Sequence, residues 1–448
     1  MIQPIGLDNE EKAKACCVHD MVLDLICSLA SEENFVAILD GTERKIPKSQ
    51  SKVRRLSIQN SNVDVATISM RQVRSSTVFT NDIVNQLQKI SSFKVVRVLD
   101  LGDCPILDSM TFLNMRYLRL NGDGVKDFPM EIGKLQFLQV LDISGTSIKE
   151  MPPSAIRLRR LMYLHIGRGV KFPSGIGNLT SLEVLLGLEA GKFSSCGFNH
   201  HLVKELGELT KLRVLRFLWG DLDESMCKTL AKSLSNLHKL EVLQNYVKGG
   251  CVDLMREGWV PSPQIRRLRI IGCSLQTLSA WINPSSLPLL SYLAITVSEV
   301  RSEDTQLVGM LRALRYLDLR VEGNFSGENH VVEMSVVTTD AFPCATECYF
   351  VGIVSAPSLF PQGAAPRLKE LCFDFPAMWI GRADYNLSMG HLPSLEAVYV
   401  NLLCKKASNE VVDEAVAALR AAAEDHPNHL GILLKKYHPD IEISKTYE

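Results

Sequence analysis

The sequence contains no run of 18 apolar residues, which excludes a transmembrane helix of the ordinary kind. Its start, MIQPIGLDNEEKAKACC, has no apolar core behind a basic flank, so no secretory signal is expected. Charge of one sign is also missing: 49 basic against 50 acidic side chains leave −1 over 448 residues. A dedicated nucleic-acid binder usually carries a basic excess, so nucleic acid is not an expected partner. The twelve cysteines form no disulfide framework, and two of them (Cys16 and Cys17) are adjacent. Free thiols in a reducing, cytoplasmic setting are therefore expected. No G-x-x-x-x-G-K-[ST], H-E-x-x-H, C-x-x-C pair or G-x-S-x-G occurs, so no enzyme is expected. Cys344-x-x-x-Cys348 has no second half, which argues against a metal site.

What the sequence has is a repeat. Leu138-x-x-Leu141-x-Ile143 has the form L-x-x-L-x-L, and that form recurs along the chain. Further copies centre on Leu56, Leu99, Leu118, Leu164, Leu215, Leu268, Leu293, Leu317, Leu371 and Val398. Weaker copies centre on Ser76, Leu185, Leu243, Cys348 and Leu433. From 99 the gaps are 19, 23, 23 and 21; from 243 they are 25, 25 and 24. These are leucine-rich-repeat periods. Longer gaps mark insertions at Gly187 to His201 and Val321 to Thr339. In L-x-L the two apolar side chains point to one face and the middle one to the other. One such strand cannot bury its apolar face by itself, but about fifteen stacked in parallel bury a continuous core. The expected fold class is α/β: a leucine-rich-repeat solenoid with a parallel sheet on its concave face and irregular or helical returns on the convex side. Cys104 and Cys273 fall at the repeat's Asn/Cys position and read as structural.

The ends do not repeat. Val18, Met21, Val22, Leu25, Ile26 and Leu29 have helical spacing, and Phe35 to Leu39 reads as a short strand. Arg44 to Arg55 is basic and polar and reads as a solvated linker. Ser408 is an N-cap for an alanine-rich helix that ends by Pro427, and a final strand lies near Leu430 to Leu434. Such a helix and strand would close the open end of the core. His426 and His429 sit at the helix end, where cations complement the dipole.

Cys17-Val-His-Asp-Met-Val-Leu-Asp-Leu-Ile26 resembles the end of the nucleotide-switch module of coiled-coil nucleotide-binding leucine-rich-repeat immune receptors of plants, in their grass-type form. Ser49-Lys-Val-Arg-Arg-Leu-Ser resembles that family's way into its repeats, and His426-Pro-Asn-His429 its ending. The resemblance covers nearly the whole chain. It implies a winged-helix remnant at 1–40, a linker at 41–52, repeats at 53–407 and a capping helix, last strand and tail at 408–448. It implies that the chain is the C-terminal portion of a receptor and begins inside a domain. The family's Met-His-Asp motif reaches the ADP phosphate, a role that by position falls on His19 with Asp20 beside it. With no phosphate loop in the chain, His19 reads as a leftover at a helix start. No cofactor is expected, and ADP or ATP would enter only with the switch domain of a longer product.

The resemblance implies a role in innate immunity and defence. The repeats would recognise a pathogen effector, a guarded host protein or the receptor's own switch domain, holding that switch off. A free-standing scaffold or decoy and a substrate adaptor of a ubiquitin ligase are the alternatives. The residues expected to face a protein partner on the concave side are Asp100, Arg119, Asp142, His165, Arg216, Trp219, Arg269, Tyr292, Asp318, Glu370 and Tyr399.

Overall fold

The computed structural model describes residues 2–7, 13–18, 22, 25, 26, 28–30, 36–39, 53–59, 70–79, 95–102, 113–128, 130–190, 200–219, 223–247, 259–275, 277, 278, 281–321, 332, 333, 337–354, 357–382, 387–405 and 407–437. They fall into two compact units, Met1–Leu182 and Glu183–Glu448. His19, Asp20 and Cys104 lie outside the described residues.

The first unit opens with an antiparallel pair, β1 (Ile2–Leu7) and β2 (Ala13–Val18). A parallel sheet follows: β3 (Val36–Leu39), β4 (Arg55–Ile58), β5 (Ser75–Val78), β6 (Val98–Gly102), β7 (Tyr117–Gly122), β8 (Val140–Thr146) and β9 (Tyr163–His165). The L-x-x-L-x-L reading sets its register. Leu99, Leu118, Leu141 and Leu164 are aligned partners, and all are fully buried. Each such leucine contributes about 1.5–3 kcal/mol by leaving water. The sheet starts one strand earlier than the repeat boundary at 53. Val36 to Leu39 pair in parallel with Arg55 to Ile58, so the short strand expected there is the sheet's first member.

Returning segments cover the other side of this core with 3-10 turns at Ile132–Lys134, Pro153–Arg157 and Ile176–Asn178. Their apolar residues Ile132, Leu135, Ala155, Leu158, Ile176 and Leu179 are buried. Gly133 lies against the next turn. A Cβ there would sit 2.4 Å from the Ser154 carbonyl oxygen, and the Ser154 hydroxyl donates to Met130 O while accepting from Gly133 N.

The second unit continues the pattern with β10 (Val184–Ala190), β11 (Val214–Trp219), β12 (Val242–Val247), β13 (Arg267–Leu275), β14 (Tyr292–Val297), β15 (Tyr316–Val321), the short β16 (Val332–Glu333), β17 (Glu347–Val354), β18 (Glu370–Pro376), β19 (Ala397–Leu403) and β20 (Gly431–Tyr437). β15 pairs directly with β17, and β16 adds to the far end of β17. Its returns include the helices α1 (His200–Leu206), α2 (Glu224–Ser235) and α3 (Ser302–Gly309). Phe342, Phe350, Phe360, Phe373 and Phe375, each under 2% exposed, fill the core behind β17 and β18.

Two sequence assignments change here. The first insertion keeps Gly187 to Ala190 in β10, and its last two residues, His200 and His201, begin α1. At the last strand the ruler slips by one. Ile432, not Leu433, aligns with Val398, and Leu433 aligns with Tyr399 and is 64% exposed. With a side-chain period of two, a slip of one residue moves every side chain to the opposite face.

Ser408 caps α4 (Asn409–Glu424) by accepting from Val411 N, as its sequence position predicts. The helix buries Val412, Ala415, Leu419 and Ala423. The turn after it corrects the reading of His426 as a cation at a helix dipole. His426 is buried; its Nδ1 accepts from Asn428 N, so its Nε2 carries the proton it shares with Leu392 O. Asn428 Nδ2 donates to the carbonyls of Pro393 and Leu395. His426-Pro-Asn thus ties the end of α4 to the preceding repeat.

Candidate functional site

Each strand sends its leucines inward, so the residues just before and just after each core leucine form rows on the outward face of the sheet. In the first unit the row after the leucine runs Asp100, Arg119, Asp142, His165. Arg119 lies 3.8 Å from both Asp100 and Asp142, and His165 Nδ1 is 3.5 Å from Asp142 Oδ1. The Ser144 amide and hydroxyl both donate to Asp142 Oδ1, at 3.0 and 2.7 Å. Burial alone would raise the Asp142 carboxyl, but the hydrogen bonds from His165 and Ser144 outweigh it and hold it at about 2. Asp100 is raised, chiefly by burial, with Arg119 opposing. Four of the residues expected on this face are therefore brought together in one charged network.

In the second unit the outward face carries a cluster of aromatic and acidic residues. Tyr292 and Tyr316 stack with centroids 4.2 Å apart and planes 4° from parallel, and Arg267 lies 4.0 Å over the Tyr292 ring. Tyr349 is 5.5 Å from Tyr316, and Tyr399 is 6.3 Å from Tyr349. The Tyr349 hydroxyl donates to Glu370 at 2.6 Å and approaches Glu347 at 3.4 Å. Burial raises the Glu347 carboxyl, and the neighbouring Glu370 raises it further. Burial and the same carboxylates also push the Tyr349 hydroxyl up. It stays a donor at neutral pH.

The expected residues spread over this unit. Arg216 and Arg269 lie exposed in the row after the leucine. Tyr292 and Glu370 belong to the row before it, on the same face, and Tyr399 to the row after it. Tyr292 and Asp318 are on that face but are only 6% and 5% exposed, so their neighbours cover them. Asp318 is held by a bidentate pair from Arg320, at 2.9 and 2.8 Å. Trp219 is the last residue of β11, where its backbone pairs with Ala190 and Val247.

The sequence reading missed Tyr316, Tyr349, Glu347 and Asp374. A signal for the first was present: tyrosine recurs immediately before the core leucine, at 117, 163, 292 and 316. Asp374 is fully buried. It accepts from Asn401 Nδ2 at 2.7 Å and from Gly352 N at 2.8 Å, and burial pushes its carboxyl up to about 6 against those hydrogen bonds.

Four buried cysteines, Cys227, Cys348, Cys372 and Cys404, are poorly placed to act as nucleophiles. Burial pushes the thiols of Cys227 and Cys372 up to about 12 and raises those of Cys348 and Cys404, so the reactive thiolate is disfavoured. What the sheet can do chemically is bind, through a preformed surface of rigid aromatic rings and fixed charges.

The chain is 28% identical over 364 residues to the rice disease resistance protein Pik-2, covering 70% of this chain and 35% of that protein. It is 25% identical over 460 residues to the rice disease resistance protein RGA5, covering 96% of this chain and 39% of that protein. It thus spans less than two fifths of the length of these relatives. Among solved structures, a leucine-rich-repeat protein of Leptospira interrogans is 14% identical with a TM-score of 0.49, covering 90% of this chain and 97% of that one. A family model described as leucine-rich repeat region matches residues 72–432, most of the chain, and the chain belongs to that family.

Proposed function

We propose that this chain is the partner-recognition region of a plant disease resistance protein, and that it acts by binding proteins on the outward face of its sheet rather than by catalysis. The observation that carries the reading is the run of half-buried Tyr316, Tyr349 and Tyr399, backed by the buried Tyr292, with Glu347 and Glu370. Tyrosine is favoured at binding hot spots because a rigid ring offers area and a polar tip at small entropic cost. The similarity to Pik-2 and RGA5 supplies the biological class. In this reading the repeats engage a pathogen effector, a guarded host protein or a nucleotide-switch domain in the cytoplasm. Control follows from differential affinity: a partner that binds the repeats better in one state of the switch shifts the population towards that state. The winged-helix reading of residues 1–40 belongs to the same proposal, with β1 and β2 as its hairpin.

The test is surface plasmon resonance of the purified chain against a panel of effector proteins and nucleotide-switch domains. At least one is expected to bind. Tyr316→Ala and Tyr349→Ala should each weaken it about tenfold, roughly 1.4 kcal/mol, without lowering the thermal midpoint. Binding indifferent to both substitutions rejects this face.

A further inference from the structure

The position two residues before each core leucine's own row forms a line along the edge of the sheet. In the first unit that line is Arg54, Arg74, Arg97 and Arg116. Their alignment is given by the backbone: Arg74 N donates to Arg54 O, Arg97 N to Arg74 O and Arg116 N to Arg97 O, each at 2.8 Å. All four side chains are exposed. Adjacent strands are about 4.8 Å apart, so the four guanidinium-bearing residues follow one another over roughly 14 Å. Like charges on neighbouring strands repel. Among the described residues, no carboxylate pairs with any of the four.

The second unit supplies the contrast, because the same line there is mixed, with Arg266 and Arg315 standing between Glu241, Ser291 and Thr346 rather than in an unbroken run of arginines. Arg213 is paired with Glu241 at 2.9 Å, and Lys369 with Glu396 at 2.8 Å. Ser291 and Thr346 occupy other steps of it. An unneutralised row of arginines is therefore not a requirement of the repeat. It is a property of this one stretch of sheet edge.

We propose that the Arg54–Arg74–Arg97–Arg116 row is a docking strip for an acidic, extended segment of a protein partner. The geometry selects that occupant. The row is linear and exposed, whereas a small polyphosphate calls for a concave pocket that surrounds it. Single-stranded nucleic acid calls for aromatic side chains interleaved with the cations. The row has none: its next steps are Gln139 and Met162. A guanidinium matches a carboxylate with two parallel hydrogen bonds, so successive acidic residues along an extended chain can be held in register. The strip belongs to the first unit and the tyrosine face to the second. It rests on the reading that the chain binds proteins but not on which residues of that face do so.

The experiment uses the full chain and fluorescence anisotropy with labelled octaglutamate, with an oligothymidylate and pyrophosphate as competitors. Octaglutamate is expected to bind, more weakly as salt rises. Arg74→Gln with Arg97→Gln should weaken it at least tenfold, while Arg266→Gln with Arg315→Gln, on the same line of the second unit, should leave it unchanged. Circular dichroism of both double variants checks that they fold. Absence of octaglutamate binding, equal loss in both double variants, or displacement by the oligonucleotide or pyrophosphate at lower concentration than unlabelled octaglutamate overturns the proposal. Tyr316→Ala separates the two readings. It should not alter octaglutamate binding, so a failed strip leaves the tyrosine face standing, and a failed tyrosine face leaves the strip standing.

Discussion

At the scale of single residues, burial decides what a carboxylate does. Asp142 and Asp374 both face away from the leucine core's centre line, yet one is held low and the other pushed high. Asp142 keeps hydrogen-bond donors on Ser144 and His165, and burial loses to them. Asp374 has two donors but no solvent, and burial wins. A folded-state value raised from 3.8 to about 6 means the native state binds more protons in that window. Stability from this group is present below about pH 4 and is lost as pH rises through 6. Asp374→Asn should therefore flatten the stability curve between pH 4 and 6, by on the order of 2 kcal/mol relative to the parent. Urea denaturation across that range measures it, and an unchanged slope assigns the proton elsewhere. The neighbouring pair Leu141 and Asp142 tests the inward and outward rows. Leu141→Asp leaves an unpaired charge in the core and should cost several kcal/mol, whereas Asp142→Ala removes half-exposed hydrogen bonds and should cost about 1. Similar losses in urea denaturation would refute the register.

At the scale of the element, the strands were legible because one residue type carries the signal. Leucine at the fourth position of nearly every strong copy, with an apolar residue at the sixth, names both the strand and its inward face, and Leu99 to Leu164 lie where that pattern places them. The weaker copies at Ser76, Leu185, Leu243 and Cys348 are also strand members in register. Legibility failed where consecutive residues are all apolar. Ile432, Leu433 and Leu434 offer two phases, and only the pairing with β19 selects one. The candidate site was less legible than the fold. Its tyrosines and carboxylates gain meaning from neighbours one repeat away, at sequence distances the spacing does not fix: Tyr349 meets Glu370 across 21 residues and Asp374 meets Asn401 across 27. The phase of β20 gives its own test. Leu433→Lys should change stability by about 0.5 kcal/mol or less, and Ile432→Lys by about 1–2, since only the second replaces an inward residue at the end of the core. Thermal denaturation with the larger loss at 433 would restore the slipped register.

At the scale of the molecule, near-zero net charge conceals a local run of one sign. The first unit's edge line is all arginine from 54 to 116, while the second unit's line mixes cations with Glu241, Glu396 and neutral residues. Stability is distributed along the chain in the same local way. Within each unit, every strand takes its hydrogen bonds and its leucine contacts from the strands beside it, so the energy is close to a sum of nearest-neighbour terms. Such an array loses structure where it is injured and keeps it elsewhere, provided the remaining repeats still bury a continuous core. Leu141→Asp places a charge between Leu118 and Leu164, the partners on β7 and β9. Hydrogen exchange followed by mass spectrometry should then show amide protection lost first in β7, β8 and β9. Strands β17, β18 and β19, built around Phe350, Phe373 and Val400 in the other unit, should exchange at the parent's rate. Loss of protection in both sets with one rate constant would mean that the chain unfolds as a single cooperative body, and the nearest-neighbour account would fail.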